Sequence, residues 1–135
     1  MRFKCEQVEQ LTIVLDNRPG IFADLCAHLS DHDINVRAIT TVDVADTGSV
    51  RLVVDKPEAA KKTFAEAGVA CTGCNCLALD MPNAPGGFAA IARKLALAGI
   101  NIDYIYASAS PGPGPALGIF GVSDLKRALA VNWES

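Results

Sequence analysis

The chain has 135 residues, half of them apolar and a fifth charged, a balance that suits a packed core and excludes a disordered chain. Its twelve Lys and Arg are scattered within a net charge of −3, so there is no basic footprint and no nucleic acid partner is expected. No apolar run approaches the roughly 20 residues that a bilayer requires, and the charged start Met1-Arg2-Phe3-Lys4 is unlike a secretory leader, so no membrane association is expected. Five cysteines, three of them at Cys71, Cys74 and Cys76, do not make a secreted disulfide framework, and a reducing cytoplasm is the expected location.

Along the chain, residues 11–15 alternate Leu, Thr, Ile, Val, Leu and suit a strand with one face on a core. Pro19 then presets φ for the first turn of a helix, with Asn17 where a cap or turn residue belongs. Phe22, Leu25, Cys26 and Leu29 form one apolar stripe at helical spacing, which ends near His32-Asp33. Residues 34–44 read as a second strand, Asp46-Thr47-Gly48 as a turn, and residues 50–54 as a third strand. Pro57 opens a second helix with Ala60, Phe64 and Ala67 expected inward, and Gly68 ends it. A strand at 77–81, a helix at 85–98 stopped by Gly99, strands at 100–108 and 117–122, a short helix at 124–130 and a last short strand at 131–134 complete the expectation.

The second half repeats the first. Asn17-Arg18-Pro19-Gly20-Ile21-Phe22-Ala23 aligns with Asn83-Ala84-Pro85-Gly86-Gly87-Phe88-Ala89 at an offset of 66 residues. The same offset pairs Ile34-Asn35-Val36 with Ile100-Asn101-Ile102, and Leu11, Ile13 and Leu15 with Leu77, Leu79 and Met81. The plan is therefore α+β, a βαββαβ unit duplicated in tandem, with residues 1–70 as the first unit and 71–135 as the second. One such unit buries little surface alone, which two units sharing an interface would relieve. No linker is evident between residues 69 and 81, so one strand is expected to run from the first sheet into the second.

An Asp or Asn, then Pro-Gly, an apolar helix stripe and a closing Ile-Asn resemble the ACT domain, and the motif occurs twice in register over nearly the whole chain. The resemblance implies a ferredoxin-like fold in two ACT-like units and an allosteric, regulatory role without catalysis or cofactor. It also implies an amino acid bound at the interface between units. The family's ligand residues carry over to Asn17, Pro19, Gly20, Ile21 and Phe22, and to Asn83, Pro85, Gly86, Gly87 and Phe88. Gly87 departs from the family, which has a larger apolar residue there; it marks either a roomier second site or a silent one. The short tail 131–135 leaves little for a final strand, so the second sheet is either incomplete or completed by another chain.

The chemistry of these residues agrees with that role. A helix N-terminus presents unpaired N–H groups and partial positive charge suited to a carboxylate. Gly20 and Gly86 allow close backbone approach, and Asn17 and Asn83 can both donate and accept. The same residues also serve simply to turn a strand into a helix. Exposed sheet edges admit a homodimer, and a second reading is a regulatory subunit that docks an enzyme without a ligand of its own.

Other candidates are weaker. Cys71, Cys74 and Cys76 have spacings that a soft metal could use, but strand alternation places Cys74 and Cys76 on one face as small apolar residues. His28 and His32 lie one turn apart with no third ligand nearby in sequence. Ser110-Pro111-Gly112-Pro113-Gly114-Pro115 lacks the Lys and Ser/Thr of a phosphate loop and reads as a stiff turn. Arg37, Arg51 and Arg93 read as surface charges, and no nucleophile has a base beside it in sequence, so no catalytic or metal site is expected.

Overall fold

A computed structural model describes residues 1–16, 18–44, 47–112 and 114–134, without the side chains of 43, 44 and 47. Asn17, the expected turn residue Asp46 and Pro113 therefore lie outside the described residues. By packing, the chain divides into an N-terminal unit, Glu9–Cys74, and a C-terminal unit formed by Asn75–Ser135 together with Met1–Val8. Sequence reading placed the division between residues 70 and 71.

The N-terminal unit contains β1 (Lys4–Asp16) from Glu9 onward, α1 (Ile21–Asp31), β2 (Val36–Val44), β3 (Thr47–Val54), α2 (Pro57–Glu66) and the start of β4 (Cys71–Pro82). Its strands lie in the order β2-β3-β1-β4. Antiparallel pairing sets Leu11 opposite Leu52 and Ile13 opposite Val50, so alternate residues of both strands share one face. Leu25 and Leu29 of α1 and Ala60 and Phe64 of α2 cover that face. Each fully buried Leu, Ile or Phe contributes about 1.5–3 kcal/mol relative to an exposed one.

Two expectations about the helices need correction. Phe22, placed on the inward stripe, is 44% exposed, because the first turn of α1 borders an open depression instead of the core. Ala67 is exposed because α2 has already ended, at Glu66. Thr63 takes the inward position, its hydroxyl satisfied by the Ala59 carbonyl at 2.9 Å.

Three helices stop in the same way. Ile34, Val69 and Ile100 donate their N–H to the carbonyls of Leu29, Phe64 and Leu95, each five residues back, across a residue in the left-handed region. That residue is Gly68 in α2 and Gly99 in the third helix, but Asp33 (φ 56°) in α1. Asp33 is held there by the Lys56 ammonium, 2.5 Å from its carbonyl and 3.3 Å from its carboxylate.

The C-terminal unit continues β4 from Asn75 and adds α3 (Gly87–Leu97), β5 (Ile102–Ser108), β6 (Pro115–Val122) and α4 (Leu125–Leu129). The Asp124 carboxylate caps α4 by accepting the Arg127 N–H at 3.1 Å. Leu77, Leu79, Met81 and Phe120 pack beneath Ile91, Leu95 and Ala128. The duplication extends to irregularities: the β2–β3 register shifts between Val36 and Ala38, and the β5–β6 register shifts between Ile102 and Tyr104. Ile105 stands 66 residues after Ile39, but its neighbour Phe120 opposite stands 68 after Leu52. The second hairpin is longer by two residues, in the Pro-Gly stretch that ends at Pro115.

The expected last strand at 131–134 is absent; that segment is a turn. Its residues favour local bonds over extension: the Asn132 side chain accepts the Glu134 N–H at 3.2 Å, and its carbonyl accepts the Lys94 ammonium at 2.8 Å. The strand order in this unit is β1-β4-β6-β5, so the opening residues of β1 take the outer place beside β4. Trp133 secures them. It is buried, donates its indole N–H to the Ala128 carbonyl at 2.9 Å, and meets the Phe3 ring edge-on at 6.0 Å. The Phe3 N–H also reaches the Trp133 carbonyl at 3.0 Å.

On the helix-free face of this unit, Tyr104 lies opposite Gly121, and its ring occupies the space where a side chain at Gly121 would stand. Its hydroxyl reaches the Cys76 sulfur at 3.3 Å.

Candidate functional site

The two strand-to-helix turns match bond for bond. Arg18 N–H donates to the Asp16 carbonyl at 3.0 Å and Ala84 N–H to the Pro82 carbonyl at 2.9 Å. Ile21 N–H reaches the Arg18 carbonyl at 3.4 Å, and Gly87 N–H the Ala84 carbonyl at 3.3 Å. The residue before each helix is a glycine with φ 91°, Gly20 and Gly86. A Cβ at either would meet nothing within 4 Å, so the requirement for glycine is conformational. Pro19 and Pro85 therefore sit in the turn ahead of the helix, two residues before the first helical residue, a residue that the sequence had expected them to be. Neither glycine has a side chain with which to cap the amides behind it.

Around the first turn the N-terminal unit forms a depression of about 370 Å³. Leu15, Ile21 and Val50 supply apolar lining, with the exposed Phe22 beside them. Thr41 and Val42 of β2 and Gly48 and Ser49 of β3 line it from the hairpin. Asp16 and Arg18, both exposed, add one charge of each sign. Of the residues expected from sequence, Ile21 and Phe22 line this depression; Pro19 and Gly20 shape its turn, and Asn17 is outside the described residues. Sequence reasoning missed Asp16 and Arg18, although they flank Asn17 in the motif itself. The hairpin residues had no sequence signal, because only the strand register brings them to the turn.

The second turn is differently surrounded. Asn83 donates its side-chain amide to the Ser110 carbonyl at 2.5 Å, which ties the turn to the long hairpin. Gly87 is buried, and a Cβ there would lie 3.3 Å from the Pro82 carbonyl and 3.7 Å from the Met81 sulfur. Phe88 is 49% exposed, like Phe22. A depression of about 510 Å³ in this unit is lined by Arg2, Met81 and Pro115 among others, and by none of Asn83, Pro85, Gly86, Gly87 or Phe88. A further depression of about 410 Å³ lies at the other end of α1, beside Cys26, Asp33, Asn35 and Lys56.

The cysteines are not brought together as a ligand set. Cys71 packs against the apolar core of the N-terminal unit, Cys74 is exposed, and Cys76 is buried against Tyr104. Burial pushes the Cys71 thiol above its ordinary pKa, an effect the nearby Lys61 opposes and Glu9 reinforces. Lys61 itself bridges Glu9 at 2.5 Å and Glu58 at 3.1 Å, and the hydrogen bond to Glu9 is the main cause of its raised pKa. His32 turns its Nδ1 to the His28 carbonyl at 2.8 Å, along its own helix. Among the described residues no three His, Cys, Asp or Glu side chains are grouped to hold a metal ion, and no helix is long and apolar enough to cross a membrane.

Comparison with known proteins places this fold. No curated protein sequence matches the chain. Among solved structures, protein BT0572 from Bacteroides thetaiotaomicron is 25% identical, with a TM-score of 0.87 over 93% of this chain and 86% of that one. The ligand-free regulatory subunit of aspartate kinase from Thermus thermophilus is 16% identical, with a TM-score of 0.68 over 96% and 93%. Aspartokinase III of E. coli, solved with lysine and aspartate, is 17% identical with a TM-score of 0.58, covering 96% of this chain and 31% of the enzyme. These last two likenesses concern fold. The family model of the ACT domain pair matches residues 6–131, and the chain belongs to that family.

Proposed function

We propose that this chain is a non-catalytic regulatory protein that binds an amino acid where ACT-like units meet, at one or both of the strand-to-helix turns, Pro19–Phe22 and Pro85–Phe88. Asn17 and Asn83 complete the proposed set. The observation that carries the reading is the depression of about 370 Å³ at the first turn, where apolar walls meet an acidic and a basic side chain. Membership of the ACT domain pair family supports the regulatory role. The shared fold with regulatory subunits of aspartate kinase is consistent with a partner enzyme. Pairing of two chains belongs to the same proposal, since β2 and β5 are the outer strands of their units. Calorimetry and thermal-shift measurements against the twenty amino acids test it. Binding of at least one is expected; no heat and no shift with any of them refutes the reading.

A further inference from the structure

We infer that, of the two turns, only the N-terminal one holds the ligand, one site per chain, and that it selects an amino acid with an uncharged aliphatic side chain. The inference rests on the amino-acid-binding reading above and deepens it. Two differences between the repeated turns and the lining of the first carry it.

The first is charge. Asp16 and Arg18 line the N-terminal depression, a carboxylate for an ammonium and a guanidinium for a carboxylate. At the offset of 66 residues the second repeat has Pro82 and Ala84, neither ionisable.

The second is space. Ile21 lines the first depression, whereas its counterpart Gly87 is buried where a Cβ would press on the Pro82 carbonyl. Val50 lines it too, and its counterpart Gly118 already has neighbouring side chains over it: a Cβ there would lie 2.7 Å from the Phe120 ring and 2.9 Å from the Met81 methyl. Packing has filled around Gly87 and Gly118 the space that stays open beside Ile21 and Val50. The larger depression of this unit lies to the side of the turn along Arg2, Met81 and Pro115, and the Asn83 amide is engaged by Ser110.

The third is the lining. Beyond Asp16 and Arg18 the depression offers apolar side chains and the hydroxyls of Thr41 and Ser49, with no further ionisable group among the described residues. Once the two charges grip the backbone ends of an amino acid, a charged side chain has no counterion left and loses its hydration for nothing. An aliphatic one gains contact with Leu15, Ile21 and Val50.

The test is calorimetry on the full chain with leucine, valine, isoleucine, methionine, lysine and glutamate. To these are added 3-methylbutylamine and 4-methylpentanoate, which are leucine without its carboxylate and without its amine. Expected are one site per chain, tighter binding of the four aliphatic amino acids, and weakening by about tenfold or more for each truncated analogue. Arg18→Gln should weaken leucine about tenfold yet leave 3-methylbutylamine unchanged, because that amine has no carboxylate to lose. An unchanged melting temperature shows that the variant is folded, and Lys56→Gln, in the other depression, leaves all affinities as they were. Two ligands per chain, a preference for lysine or glutamate, or equal loss of leucine and the amine on Arg18→Gln overturns this inference while the broader reading stands. Absence of binding by every amino acid brings down both.

Discussion

Gly121→Ala offers a close test of the helix-free face of the C-terminal unit. The added methyl would overlap Cε1 and Cζ of Tyr104 and come within 2.8 Å of Cδ1, so the ring must swing away from β6. It then gives up its packing on the strand and its hydroxyl contact with Cys76. Overpacking of this kind costs about 1–3 kcal/mol, and replacing a strand glycine by alanine offsets about 0.5–1 kcal/mol. The net expectation is a loss of about 1–2 kcal/mol. For a cooperative unit of this size that lowers the melting temperature by roughly 4–8 °C per kcal/mol. Trp133 is the sole tryptophan and is buried in the same unit, so its fluorescence reports the transition directly. The decisive comparison is the same substitution in a Tyr104→Ala background. With no ring to displace, Gly121→Ala should become neutral or stabilising by a few tenths of a kcal/mol. An equal penalty in both backgrounds would show that the glycine is required for another reason and would refute the account.

Gly20→Ala and Gly86→Ala should each cost about 1–2 kcal/mol, because an L side chain is strained at φ 91° while its methyl meets nothing. Urea melts that find the two penalties very different would show that the turns are not equivalent. Trp133→Leu removes a buried indole, its bond to the Ala128 carbonyl and its edge contact with Phe3, and should cost about 2–4 kcal/mol. A loss below about 1 kcal/mol would mean that the tail does not hold the first residues in place. For Cys5 and Cys71, desolvation by burial raises both thiol pKa values. At mildly alkaline pH each should carry less thiolate than in the unfolded chain, and mass spectrometry should find iodoacetamide labelling both more slowly than the exposed Cys74. The associated stability is full below the unfolded thiol pKa and declines as pH rises through the raised folded one, so a denaturation midpoint that climbs with pH there contradicts the assignment.

Much of the fold was legible because the two repeats vouch for one another. A lone Pro-Gly before an apolar stripe is ordinary turn chemistry; its recurrence with Ile-Asn in register fixed the helices and strands of both halves. What escaped notice has physical causes. Lys4 to Gln10 holds mostly polar residues, so periodicity began the first strand at Leu11, although β1 starts at Lys4. Its neighbours are β3 and β4, and no local signal can name the second. The tail looked like a strand because Val131 and Trp133 have β propensity, and Asn132 then closed a local turn instead. At the candidate site, the turn glycines were readable from their sequence context. Asp16, Arg18 and the β2–β3 residues were not, since pocket walls depend on register and on which side chains stay uncovered. Phe22 shows the ambiguity well. Helical spacing alone cannot distinguish a core position from the rim of a pocket.

The meeting of Phe3 with Trp133 has a kinetic consequence. Nearly the whole described chain separates these two residues, so the C-terminal unit cannot close until its most distant segments find each other. The Glu9–Cys74 unit draws on one continuous stretch and pays no such entropy of long-range closure. Refolding should thus be staggered, the contiguous unit first and the unit reporting through the indole later.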